Sequence, residues 1–194
     1  MPERNVVVVR FNEPSKAYQA LSVLKECDAE GRIALESAAV VERTPEGALQ
    51  IAEGADNLGP VGAASGSLIG MLVGVLLGWG SGALIGGAFD LDRAVTSDEA
   101  LTVLGRAIPP GSTAVIASVD EPAVEVIDGE MTKLGGEVTR RSAADVMDEL
   151  EAVEAAADAA AIEAIRTVHE QRKAEVHADV DERMGKLKEK LHVS

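Results

Sequence analysis

NVVVVRFNEPSKAYQALSVLKECDAEGRIALESAAVVE, residues 5–42, reads as a strand, a helix and a second strand. The β-branched run at 5–11 has the composition of a buried strand. Pro14 opens a helix to about Ala29, in which Ala17, Ala20, Leu21, Leu24 and Cys27 follow the helical period. Gly31 stops it, and IALESAAVVE at 33–42 is strand again. Thr44-Pro45-Glu46-Gly47 then turns the chain, and Ala48–Ala52 returns as a short hairpin arm.

The same order recurs further along. TAVIASV at 113–119 is a strand, and Glu121-Pro122 begins a helix with Val124, Ile127, Met131 and Leu134 on one face. Gly135-Gly136 ends that helix, and Glu137–Arg140 is a short strand. RFNEP at 10–14 corresponds to SVDEP at 118–122. Two such units predict an α+β fold, a ferredoxin-like split βαβ sandwich formed from residues 1–53 and 112–141. Residues 54–111 are an insertion between the halves, and residues 142–194 follow as a long amphipathic helix.

The insertion holds GAASGSLIGMLVGVLLGWGSGALIGGAF, residues 62–89. Gly62, Gly66, Gly70, Gly74, Gly78, Gly82 and Gly86 recur every fourth residue, and no charge lies between Asn57 and Phe89. Glycine inside a helix costs about 1 kcal/mol relative to alanine. Close approach of a neighbouring helix offsets that cost, as in small-xxx-small stripes. The predicted structure is a glycine-zipper hairpin turning at Gly78–Gly82, since a single crossing of a membrane would separate the two βαβ halves. Its seven glycines are the helix-packing residues, and Leu76, Leu77 and Trp79 are the ones that would meet lipid. A further helix follows, with Thr96 and Glu99 as a capping box. Leu101, Leu104 and Ile108 form its apolar face, and Pro109-Pro110-Gly111 stops it.

From 142 to 192 the run is helical, opened by Ser142 and Asp145 in a capping-box pattern. Apolar residues recur at Val146, Leu150, Val153, Ala157, Ala161, Ile165 and Val168, then at Val176, Val180, Met184, Leu187 and Leu191. Spacings of three and four mark one stripe. About fifty residues span roughly 75 Å at 1.5 Å per residue. That exceeds a small sandwich, so part of this helix is expected to meet another subunit.

Composition narrows the function classes. The formal net charge is −15, which opposes nucleic-acid binding. Phe11, Tyr18, Trp79 and Phe89 are too few to stack bases. A single cysteine, Cys27, precludes an internal disulfide. MPERNVVVVRF has no signal-peptide pattern, which points to the cytoplasm or the cytosolic face of a membrane. Gly80-Ser81-Gly82 misses the dinucleotide spacing because Ile85 stands where the third glycine belongs. No lysine makes a phosphate-binding loop. His169 and His177 lack the Glu-x-x-His pattern of a di-iron helix. No catalytic residue, cofactor site or metal site is expected.

VVVVRF, AAVVERTPEGALQI and GAASGSLIGMLVGVLLGWGSGALIGGAFD together resemble a bacterial family of uncharacterised proteins described as predicted membrane proteins of unknown function. The resemblance spans residues 5–141 and is similar in layout to ferredoxin-like stress-response proteins. It implies a glycine-zipper insertion in an α+β domain, membrane association and no assigned activity. The expected function is that of a non-enzymatic homo-oligomer assembling through the hairpin and the terminal helix. The alternatives are a membrane-associated protein that dips the hairpin into the lipid bilayer, and a small-ligand sensor using the sheet.

Overall fold

A computed structural model describes residues 3–52, 67–81 and 99–192. In chain order the elements are β1 (Glu3–Phe11), α1 (Pro14–Ala29), β2 (Ala34–Arg43), β3 (Leu49–Ile51), α2 (Leu68–Ser81), α3 (Ala100–Arg106), β4 (Thr113–Glu121), α4 (Val124–Lys133), β5 (Glu137–Ser142) and α5 (Ala143–His192). They form two compact units, one up to Glu154 and one from Ala155 on.

The five strands of the first unit make one antiparallel sheet in the order β3-β2-β4-β1-β5. Without β3 this is the split βαβ order, in which each unit's strands are separated by a strand of the other unit. The fold is therefore the expected α+β sandwich. The short hairpin arm β3 extends the sheet at the β2 edge.

The valine run belongs to a strand covered on both faces, which is why it does not alternate with polar residues. Val7, Val9 and Phe11 point into one core with α1 and α4, while Val6 and Val8 point into the other. Strand β4 divides in the same way, with Val115, Ala117 and Val119 on the first side and Ala114 and Ile116 on the second.

On the first face the two βαβ helices end alike. The Arg32 N–H donates to the Cys27 carbonyl at 2.9 Å, and the Gly136 N–H donates to that of Met131 at 2.9 Å. The residues one step earlier, Gly31 and Gly135, take left-handed φ of 69° and 77°. Both are Schellman caps, which need a residue without a Cβ at that step. The starts differ: Pro14 is inside the first turn of α1, whereas α4 begins at Val124, two residues after Pro122.

The second face carries α2, α3 and the first turns of α5. Leu101, Leu104 and Ile108 are buried there as their spacing predicted. The cap of α3 differs from expectation. Glu99 makes no side-chain cap, and Thr96 lies outside the described residues. Instead the Glu149 carboxylate accepts from the Ala100 and Leu101 N–H groups at 2.6 and 2.8 Å. A charged acceptor from α5 thus satisfies two orphan donors and complements the dipole of α3. At the start of α5, Ser142 caps the helix, but its Oγ accepts from the Ala144 N–H at 3.2 Å rather than from Asp145.

Candidate functional site

Helix α2 begins at Leu68, with Ser67 Oγ accepting from the Gly70 N–H at 3.0 Å. The turn expected at Gly78–Gly82 does not begin where the sequence placed it, because α2 continues through Gly78, Trp79 and Gly80 to Ser81. Once a helix is nucleated each added residue gains a hydrogen bond, so isolated glycines weaken it without stopping it. Gly62, Gly66, Gly82 and Gly86 lie outside the described residues, and so does the second arm of the expected hairpin.

Leu68, Ile69, Leu72, Val73 and Leu76 are buried against β2, β3 and β4. The burial of each is worth about 1.5–3 kcal/mol. Together they outweigh the roughly 1 kcal/mol cost of each of Gly70, Gly74, Gly78 and Gly80. What holds this helix is therefore the chain's own sheet. Leu76, named from the sequence as a lipid contact, is fully buried in that core. Leu77 is half-buried, and Trp79 lies in the last turn of the helix.

Helical geometry separates the glycine stripe from this seat. At 100° per residue, Ile69, Leu72, Val73 and Leu76 share an arc of about 100°. Gly70 flanks that arc, Gly74 lies about 140° from Ile69, and Gly78 lies opposite it. Gly70 is buried, and Gly74, Met71 and Val75 are half-buried. The side of α2 turned from the sheet is thus apolar and uncharged, with Gly74 beside the half-buried Met71 and Val75. No helix among the described residues is long and apolar enough to cross a membrane.

Several charged groups of the first unit pair across its sheet. Arg140 donates two bonds to Glu121, at 2.8 and 2.9 Å, and one to Asp128 at 2.8 Å. The Glu121 side chain is wholly buried and also accepts from Asn5 at 3.2 Å. On the opposite face Arg4 bridges the exposed Glu36 and the half-buried Asp120, both at 3.1 Å. The buried Arg43 Nε has no partner, while its Nη1 reaches the Gly105 carbonyl at 3.4 Å and burial lowers its pKa. Burial pushes the Cys27 thiol up, away from the reactive thiolate. Among the described residues no group of His, Cys, Asp and Glu is arranged to hold a metal ion.

The stripe of α5 changes character along its length. Ala143, Val146, Leu150 and Val153 are buried in the second-face core. In the second unit Ala157 is half-buried and Ala161 exposed, and Ile162 and Ile165 are 68% and 69% exposed. Two large apolar side chains, three residues apart on one helix, face solvent.

Sequence reasoning found helix α2 and the long helix α5, with the stripe of α5 buried at Val146, Leu150 and Val153. It missed the Arg140–Glu121 pair and the Glu149 cap, whose partners lie 19 and 49 residues apart and carry no local pattern.

Residues 61–155 match the family model described as a protein of unknown function (DUF1269). The match takes in α2, α3, β4, α4 and β5 and ends within α5. It is shifted from the 5–141 span of the sequence resemblance: β1, α1, β2 and β3 fall outside it, although the sheet needs them. Nothing in its description names a glycine zipper or a membrane. No curated protein and no solved structure matches the chain.

Proposed function

We propose that this protein is a non-enzymatic scaffold that assembles with copies of itself. The observation that supports this reading best is the exposure of Ile162 and Ile165 on the terminal helix. Ordinary surfaces show scattered apolar residues, but a stripe continued in sequence over several turns is the pattern of a helix that meets another helix. The uncharged side of α2 around Gly74 offers a second contact, where a partner helix would approach closely.

The test is the mass of the full chain, prepared without detergent, by light scattering after size exclusion. An assembled particle is expected. Gly74→Leu should lower its mass while the circular dichroism stays unchanged, because position 74 lies off the sheet-facing arc. A monomer at all concentrations tried would sink the reading. Recovery only with detergent would favour lipid as the cover of α2, the competing reading for a helix with no charged residue.

A further inference from the structure

Charge is distributed unevenly between the two units. From Ala155 on there are seven Lys and Arg against eight Asp and Glu, so this segment carries −1 of the chain's −15. The remaining residues carry −14. Repulsion between copies therefore opposes contact through the first unit far more than through the second.

Within the terminal helix the signs are arranged in blocks. Residues 155–165 carry Asp158 and Glu163, net −2. Residues 166–173 carry Arg166, Arg172 and Lys173 against Glu170, net +2. Residues 174–182 carry Glu175, Asp179, Asp181 and Glu182, net −4. Residues 183–192 carry Arg183, Lys186, Lys188 and Lys190 against Glu189, net +3. All four blocks lie on one continuous helix.

The order minus, plus, minus, plus is self-complementary only when reversed. A second copy running antiparallel, centred between residues 173 and 174, sets the first block against the fourth and the second against the third. A parallel copy in register sets every block against itself. A parallel copy staggered by one block leaves an unmatched block at each end, and a contact of that kind propagates rather than closes.

We propose that residues 155–192 pair antiparallel with the same helix of a second copy, closing a two-fold dimer along the Ile165 stripe. This rests on the self-association reading above and names its partner, direction and register. The exposed Ile162 and Ile165 supply the apolar seam, and the charge blocks select the orientation.

The test uses full-length chains in a Cys27→Ala background, carrying either Ala161→Cys or Lys186→Cys, with a short bismaleimide as the probe. In the antiparallel pair position 161 faces 186 of the other copy, about 37 Å along the helix from its own counterpart. Cross-linked dimer is expected only when the two variants are mixed. Efficient cross-linking of either variant alone would mean a parallel pair and overturn the proposal. A particle that stays assembled yet gives no cross-link in any combination would also overturn it, while leaving the scaffold reading intact through α2. A monomeric chain would remove both.

A second arm uses charge. Reversing Arg183, Lys186, Lys188 and Lys190 to Glu should raise the dimer dissociation constant roughly a hundredfold at low salt and much less at high salt. Adding Asp158→Lys and Glu163→Lys to that variant should recover part of the loss. No recovery on adding these two changes would overturn the block argument.

Discussion

The two faces of the sheet share their central strands but are covered by different kinds of helix. On one face α1 and α4 come from the βαβ repeat, each ended by a Schellman glycine, each amphipathic, with exposed polar sides. On the other, α2 is uncharged all round and lies beside α3 and the start of α5. In a lone split βαβ domain the second face would be bare sheet. Here Val6, Val8, Ala39, Val41, Ala114 and Ile116 on that face are fully buried because α2, α3 and the start of α5 cover them. Apolar strands on both faces and a charge-free helix α2 are therefore two parts of one solution.

The comparison breaks most visibly at the centre of each layer. Leu24→Ala under α1 and Leu72→Ala under α2 remove side chains that are 1% and 0% exposed. Each should cost about 2–5 kcal/mol by denaturant unfolding. A cost for Leu72→Ala below about 1 kcal/mol would mean that α2 is not part of the cooperative core.

Next in size is the close approach on the first face. A Cβ at Gly136 would stand 2.7 Å from both Phe11 Cε1 and Val9 Cγ1, two buried side chains with no room to move aside. Gly136→Ala should destabilise by about 1–3 kcal/mol. Gly129, inside α4, has open space around its Cβ position, and Gly129→Ala should instead stabilise by up to about 1 kcal/mol. Equal thermal shifts from the two variants would contradict this packing.

On the second face Glu149→Ala removes both bonds to the start of α3. A loss of about 1–2 kcal/mol is expected, comparable to losing a strong N-cap. Glu149→Gln should recover part of it, because an amide oxygen still accepts.

The smallest effect is a pH dependence at the first face's edge. Lys133, and then Arg32, hold the Glu130 carboxyl below its ordinary value of 4.5. A depressed folded pKa contributes stability above the ordinary carboxylate pKa and loses it as pH falls through the folded value. Glu130→Gln should therefore slightly flatten the acid limb of the stability curve below about pH 5. The group is exposed, so screening keeps the difference small.

Much of the fold was legible because it rests on local rules. The Val run, the helical spacing from Ala17 to Cys27, and Gly31 and Gly135 each depend on neighbours within one or two turns. The offset of α4 from Pro122 was not legible, because strand pairing keeps Glu121 extended to its partner Glu3. Nor was the continuation of α2 past Gly78, since the burial of Leu72 and Leu76 is a property of the sheet beneath them.

By itself the sequence determined the two βαβ units, the uncharged glycine helix and the long terminal helix with its alternating charge blocks. These follow from periodicity, chain-reversal chemistry and composition. Only the tertiary structure decided that α2 packs on its own sheet, that Glu149 rather than Thr96 or Glu99 serves the start of α3, and that Glu121 is buried with Arg140. Each of those joins residues distant in the chain, and the free energy of such a contact depends on desolvation and on a geometry that no local pattern encodes.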